Sequence, residues 1–177
     1  MTLFVKAPTA LCPRRRGPTF TALDFETANT YRNSACAVGL VRVEQGRVVR
    51  RATHLIRPPF RLFTFTYLHG IDWAMVRSSP TFAEVWPLMA PFFEGVDFVA
   101  AHNAPFDASV LRATARQYRI ALPHLPFRCT VRLARATWGL RPTTLRHVAD
   151  FLGIPLRHHD AGSDAEACAR IVLAAAA

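Results

Sequence analysis

The run Val96 to Ala101, apolar but for Asp97, leads straight into His102-Asn103-Ala104-Pro105, and this junction constrains the fold more than any other part of the sequence. A short apolar run has the pattern of a strand covered on both faces, as in parallel sheets flanked by helices. Proline fits the first turn of a helix, where its missing N–H has no intrahelical partner to lose, so Pro105 opens a helix expected to reach about Tyr118. A buried strand turning directly into a helix is half of an α/β crossover, and the rest of the chain must supply strands beside it and helices on both faces.

Upstream, Thr19 to Asp24, Cys36 to Val43 and Val48 to Ile56 read as strands, with Glu44-Gln45-Gly46 as the hairpin turn between the last two. Pro58 and Pro59 end the third strand, and the aromatic-rich stretch Phe60 to Ile71 reads as a loop packed on the body or guarding a site. Thr81-Phe82-Ala83-Glu84 is a capping box for a helix to about Phe93, which Pro87 should bend or shorten. Downstream, Phe127 to Val131 reads as a last strand and Thr143 to Leu152 as a helix ended by Gly153. Ser163-Asp164-Ala165-Glu166 reads as a second capping box opening the C-terminal helix. The expected order is β-β-β-α-β-α-β-α-α, a mixed α/β sheet with helices on its faces.

At 177 residues and 51% apolar composition, one domain can bury a sufficient core without disulfides. Cys12, Cys36, Cys129 and Cys168 form no C-x-x-C pair, so neither a zinc ribbon nor a disulfide framework is indicated, and buried thiols in a reducing cytoplasm are the simpler reading. No stretch approaches the ~18 to 20 apolar residues that span a bilayer. Residues 1–18 read as an irregular basic arm: Arg14, Arg15 and Arg16 follow its short apolar segment, the reverse of a secretory signal. Lys and Arg outnumber Asp and Glu by 22 to 12, and the net charge of +10 suits a polyanionic partner.

Asp24 and Glu26 stand two apart at the end of the first strand, so the period of 2 turns both carboxylates to one side, where they offer hard oxygen ligands for Mg²⁺ or Mn²⁺. A lone pair of this kind is common at strand ends; more acids are required. Asp107 falls in the first turn of the helix after the buried strand, where it also suits the helix dipole. His158-His159-Asp160-Ala161-Gly162-Ser163-Asp164 brings imidazoles and a carboxylate to the start of the last helix, with Ser163 expected as its N-cap.

Taken together, Asp24-Phe25-Glu26-Thr27, His102-Asn103-Ala104-Pro105-Phe106-Asp107 and His159-Asp160-Ala161-Gly162-Ser163-Asp164 resemble, in order and separation, the three motifs of the DEDDh, or DnaQ-like, exonucleases. The similarity covers roughly residues 19 to 175, making 19–177 the exonuclease domain. Leu68-His69-Gly70-Ile71 and Cys129 to Arg135 also resemble family segments, the latter especially those of small bacterial repair exonucleases. The resemblance implies a ribonuclease-H-like fold, a five-stranded mixed sheet flanked by helices. It also implies two divalent cations: Asp24, Glu26 and Asp164 would hold one, Asp24 would bridge to the second, and Asp107 would support the second. His159 would be the general base, the H-x-A-x-x-D spacing selecting it over His158, which is left as a solvated neighbour. Thr27, Ala28, Leu68, His69 and Phe106 would line the pocket for the terminal nucleotide, Asn103 would hold the site loop or reach substrate, and His102 is read as structural. Thr27-Ala28-Asn29 stands where many proofreaders have Thr-Thr-Gly, so the conformation of that loop stays open.

Three function classes follow: a 3′→5′ exonuclease acting on DNA 3′ ends, single strand favoured; an exoribonuclease acting on RNA ends or short oligonucleotides; and a nucleic-acid-binding module without catalysis. The presence of all five acid and base residues argues against the third, and the Cys129 to Arg135 segment favours DNA over RNA. No membrane association is expected, and no partner protein is identifiable from the motifs.

Overall fold

The computed structural model describes residues 17–176, and the expected basic arm lies outside them but for Gly17 and Pro18. Five strands, β1 (Phe20–Thr27), β2 (Ala35–Glu44), β3 (Arg47–Leu55), β4 (Phe98–Ala101) and β5 (Phe127–Cys129), form one mixed sheet in the order β3-β2-β1-β4-β5. The first three pair antiparallel, and β4 and β5 add in parallel on the other side of β1. Glu44 pairs with Arg47, leaving Gln45 and Gly46 as a two-residue turn with φ of 49° and 79°. That doubly left-handed turn matches the twist of the strands it joins.

The alternation of β1 sorts the core into two layers. Phe20 and Ala22 point to one face and pack with Val41, Phe98, Ala165, Cys168 and Ile171, whereas Leu23 and Phe25 point to the other and pack with Val38, Phe82, Met89 and Leu111. The second layer is roofed by α3 (Phe82–Phe93) and α4 (Ala104–Gln117), the first by α5 (Thr130–Trp138), α6 (Leu145–Leu152) and α7 (Ala161–Ala176). The apolar junction that opened the sequence argument is β4 and α4, with β4 buried throughout. It starts at Phe98 because Asp97 accepts a hydrogen bond from the Thr19 N–H beside the strand.

Several boundaries differ from expectation, each for a local reason. The loop Phe60 to Ile71 contains a one-turn helix, α1 (Thr66–His69), and α2 (Trp73–Val76) follows it. The expected strand Phe127 to Val131 ends at Cys129, and the chain turns at once into α5, whose period was too short to separate from a strand. The helix α3 continues through Pro87 and Pro91; its last carbonyls find partners outside the helix, Arg42 Nη1 on Pro91 and Phe92 and the Thr21 hydroxyl on Phe92. The C-terminal helix starts at Ala161, not after Ser163. Asp160 caps it, its carboxylate accepting the Ser163 N–H at 2.9 Å, while Ser163 Oγ accepts the Arg157 N–H and Glu166 pairs with Arg51 and Arg170. The Ser163–Glu166 capping box is therefore three residues out of register. Among the described residues, no helix is long and apolar enough to cross a membrane.

Gly39 fixes how closely α7 lies on the sheet. It pairs with Asp24 across β1 and β2, and a Cβ built on it would overlap the carbonyl of Ala161 at the start of α7. A glycine inside a strand marks such backbone approach. Gly39→Ala is expected to lower the melting temperature by roughly 2 to 12 °C, since overpacking costs ~1 to 3 kcal/mol and each kcal/mol moves a domain of this size by ~2 to 4 °C. Thermal unfolding followed by circular dichroism checks this; an unchanged melting temperature would mean that α7 is free to lift.

Candidate active site

Four carboxylates converge at the carboxyl ends of β1 and β4, where the strand order reverses direction and parallel sheets open a crevice. Asp24 and Glu26 continue the Phe20–Ala22 face of β1, so the alternation that buries the core under α7 also aims both acids at its first turn. The seating of α7 over Gly39 places Asp164 among them: ligand oxygens of Asp24, Glu26 and Asp164 lie within 4.8 Å of one another. Asp107 arrives from the opposite layer. Parallel pairing of β1 with β4 stops at Ala22, leaving the Phe25 N–H free, and Asp107 Oδ1 accepts it at 3.0 Å.

Such crowding is unfavourable for bare anions. Burial pushes the Asp24 carboxyl well above its ordinary value, and repulsion from Asp107, Asp164 and Glu26 adds to it. Burial likewise raises Glu26 to about 8 and Asp107 to about 7, the latter opposed by the backbone N–H groups of Phe25 and Asp107 and by Arg32. Asp164 is raised by burial and held back by the His159 N–H and by His158. Its Oδ2 accepts hydrogen bonds from the His159 N–H at 3.1 Å and from His158 Nδ1 at 3.0 Å, whereas its Oδ1 is buried with no hydrogen-bond partner among the described residues. A buried carboxylate oxygen left bare beside two further carboxylates fits a divalent cation: hard oxygen donors, negative charge in excess and one lone pair waiting.

The two adjacent histidines have different tasks. His158 is half-buried and bonded to Asp164, correcting the expectation of a solvated neighbour. His159 adopts φ of 66°, unusual for a residue with a side chain, and this folds its ring back onto that of His158 at 3.9 Å between centroids. No described group hydrogen-bonds the His159 ring, and burial followed by the neighbouring His158 lowers its basicity, so it is neutral near pH 7 with a nitrogen available. His102, which also borders the site, is held at both ring nitrogens: Nε2 donates to the Thr143 carbonyl at 2.9 Å, and Nδ1 lies 2.8 Å from the Thr130 hydroxyl.

These groups surround a cavity of about 370 Å³ whose apolar wall is Phe65, Leu68, Phe106 and Leu145. Thr27, Leu68, His69 and Phe106 line it as expected. The ring nitrogens of His69 are both used, Nε2 on the Thr27 carbonyl and Nδ1 by the Ile71 N–H, so His69 presents only its face. Ala28 and Asn103 stand elsewhere. Ala28 is fully buried with its carbonyl taken by Thr64 and Phe65, and Asn103 is an exposed residue with φ of 63° that precedes α4, outside the lining. Sequence reasoning missed Gly39, the Asp164 contact of His158, and Arg32, whose exposed guanidinium stacks 4.5 Å over Phe106. An isolated strand glycine was the available signal for the first; one arginine among 22 basic residues gave none for the last.

Comparison with known proteins agrees with this geometry. The exonuclease family profile of ribonuclease T type matches residues 21–172. DNA polymerase III PolC-type of Thermotoga petrophila is 30% identical over 159 residues, 88% of this chain and 12% of the relative; the chain thus spans about an eighth of the PolC-type proteins it matches. DNA polymerase III subunit epsilon of Aquifex aeolicus is 29% identical over 88% of the chain and 79% of its own length. Among solved structures, exonuclease X in complex with 5′ overhanging duplex DNA superposes with a TM-score of 0.66 at 24% identity, covering 88% of this chain and 89% of that one. Escherichia coli exonuclease I in complex with a dT13 oligonucleotide gives 0.76 at 18% identity over 89% and 40%. The fold is ribonuclease-H-like, and the chain belongs to the DnaQ-like exonucleases of ribonuclease T type.

Proposed function

We propose that this chain is a 3′→5′ exonuclease that removes 5′-mononucleotides from DNA 3′ ends, single strands above all, in repair or proofreading. The observation that carries the reading is the bare, buried Oδ1 of Asp164, a carboxylate that lies in one cluster with Asp24 and Glu26. The family works with divalent cations, and here the donor set suits two, Mg²⁺ or Mn²⁺. Asp24, Glu26 and Asp164 would hold one, with Asp24 shared and Asp107 supporting the other. When bound, the pair supplies water activation on one side of the phosphate and charge stabilisation of the leaving oxygen on the other.

The protein's own side chains do the rest. His159 accepts the proton of the attacking water, its free and neutral imidazole being the required form. His158 holds Asp164 in place, with Nδ1 donating to Oδ2. The terminal base lies against Phe106, Leu68 and the face of His69, contacts that tolerate any base. Arg32, stacked on Phe106, presents guanidinium N–H groups to the backbone phosphate that follows the base into the cavity. Deoxyribose is favoured by the company the chain keeps: epsilon subunits and exonuclease X, the latter solved on DNA. A cytoplasmic setting fits the buried thiols of Cys36 and Cys168, both pushed up by burial, Cys36 to about 12.

Asp24→Asn, Glu26→Gln and Asp164→Asn are each expected to abolish release of mononucleotides from 5′-labelled DNA while raising the melting temperature of the metal-free protein by ~2 to 4 °C, the shift that ~1 kcal/mol of relieved repulsion produces. The same assay run with single-stranded DNA, overhanging duplex, circular DNA and RNA tests the whole reading. Cutting of circles sinks the exonuclease, and faster turnover of RNA moves the substrate to the ribonucleotide class.

His159→Ala is expected to lower kcat by roughly 10²- to 10⁴-fold with KM nearly unchanged, the worth of a positioned base. His158→Ala is expected to act on metal instead, raising the Mn²⁺ concentration for half-maximal rate. Reversal of these two phenotypes, read from rate against Mn²⁺ concentration, would hand the base role to His158.

Arg32→Ala is expected to raise KM for oligo-dT about tenfold, the worth of one charge-assisted contact of ~1.4 kcal/mol, and to flatten the salt dependence of binding by ~0.7 in log–log slope. An unchanged slope would confine Arg32 to packing on Phe106.

A further inference from the structure

A second cavity, of about 720 Å³, lies at the β5 end of the sheet, between α4, α5 and the last turn of α7. The first turn of α4 separates it from the catalytic cavity: Phe106 lines the one, Ala104 and Ala108 the other. The depth comes from small side chains on α4 and at the end of α7, and Leu133 and Val172, with Phe98 and Phe127, complete an apolar floor. As the end strand, β5 has no strand partner on its outer edge among the described residues.

Arg112, Arg128 and Arg132 stand exposed around this floor, and no acid lines it. All 12 Asp and Glu residues lie within the described part, and the ion pairs there engage only Arg42, Arg51, Arg157, Arg170 and His158. Arg128 stacks over the Phe98 ring, with 4.0 Å from its guanidinium carbon to the ring centroid.

We propose that this groove docks a segment of a partner protein: an acidic peptide with a bulky apolar anchor. The apolar cavity takes the anchor, and the three guanidinium groups take carboxylates on either side of it. Single-stranded nucleic acid is disfavoured because it stacks on a succession of exposed aromatic faces, and here the lining offers only Phe127, partly buried, and Phe98, 2% exposed. The chain's own residues 1–16 are disfavoured by charge, since they carry Lys6, Arg14, Arg15 and Arg16 and no acid. Docking here leaves the catalytic cavity open on the other side of α4, so the partner would hold the nuclease without blocking its substrate.

The test is selection of a phage-displayed random dodecapeptide library on the immobilised full chain, with counter-selection on the Arg112→Glu/Arg132→Glu double variant. The best peptide is then followed by fluorescence anisotropy. The expected result is a consensus of Asp or Glu flanking Leu, Ile or Phe, with binding weakened at least ~10-fold by the double variant and by Ala136→Trp, which fills the groove from an exposed position. Both variants should keep the wild-type melting temperature and kcat on oligo-dT; if the double variant does not fold, Ala136→Trp decides. No consensus, a neutral or basic consensus, or a peptide indifferent to Ala136→Trp would overturn the proposal. A double variant that loses oligo-dT affinity while keeping the peptide would show the groove to be a nucleic-acid path.

Discussion

The start of α7 can lie against β2 only because position 39 has no side chain, and the site depends on that contact. Asp24 sits opposite Gly39 on the neighbouring strand, so the place where the helix comes nearest to the sheet is also the place where Asp164 comes nearest to Asp24 and Glu26. A methyl group there would lift the helix end, separating acids that a shared cation needs within reach. Small residues continue the theme along α7, where Ala165, Ala167, Cys168 and Ala169 are all buried. The helix is fitted to closeness rather than to bulk, and the apolar payload comes from Ile171, Phe20 and Phe98.

Closeness has an electrostatic cost. Burying several carboxylates together raises all of them, and the protein offsets this with partial measures: the Phe25 N–H on Asp107, the His159 N–H and the His158 ring on Asp164. Asp24 and Glu26 have no such hydrogen bond among the described groups, and each is raised further by three neighbouring carboxylates. The two acids of β1 are thus left with a repulsion that no described group offsets, as expected of acids placed for function rather than for stability.

Strand alternation and the buried run before Pro105 made the sheet, its mixed character and the two-layer core legible in the sequence, because those patterns are local. Asp24, Glu26 and Asp107 were legible for the same reason, each being tied to an element end. The start of α7 was not. Ser163 and Glu166 have the spacing of a capping box, but Asp160 is an equally good cap three residues earlier, and Arg51 on β3 claims Glu166. Choosing between two local solutions took a tertiary partner. Ala28 failed similarly: its place beside the motif suggested the pocket, but the segment after β3 folds back over it and takes its carbonyl. Arg32 is reachable only through the loop between β1 and β2, whose path depends on Asn29 and Ser34 bonding across it.

The charge distribution sets an order of events. A surface of +10 net charge draws a polyanion in, yet the deepest part of the catalytic cavity is a nest of carboxylates that repels phosphate. Arg32 stands at the boundary, close enough to Asp107 to favour its ionised form and exposed enough to meet a phosphate. A strand can therefore be held along the surface and at Phe106 before it is acceptable at the acids, and it becomes acceptable only once their charge is compensated. On the proposed function, cation loading would then be the condition for seating the scissile phosphate, and the basic surface and the acidic pit, opposed in sign, would be successive steps of one binding path.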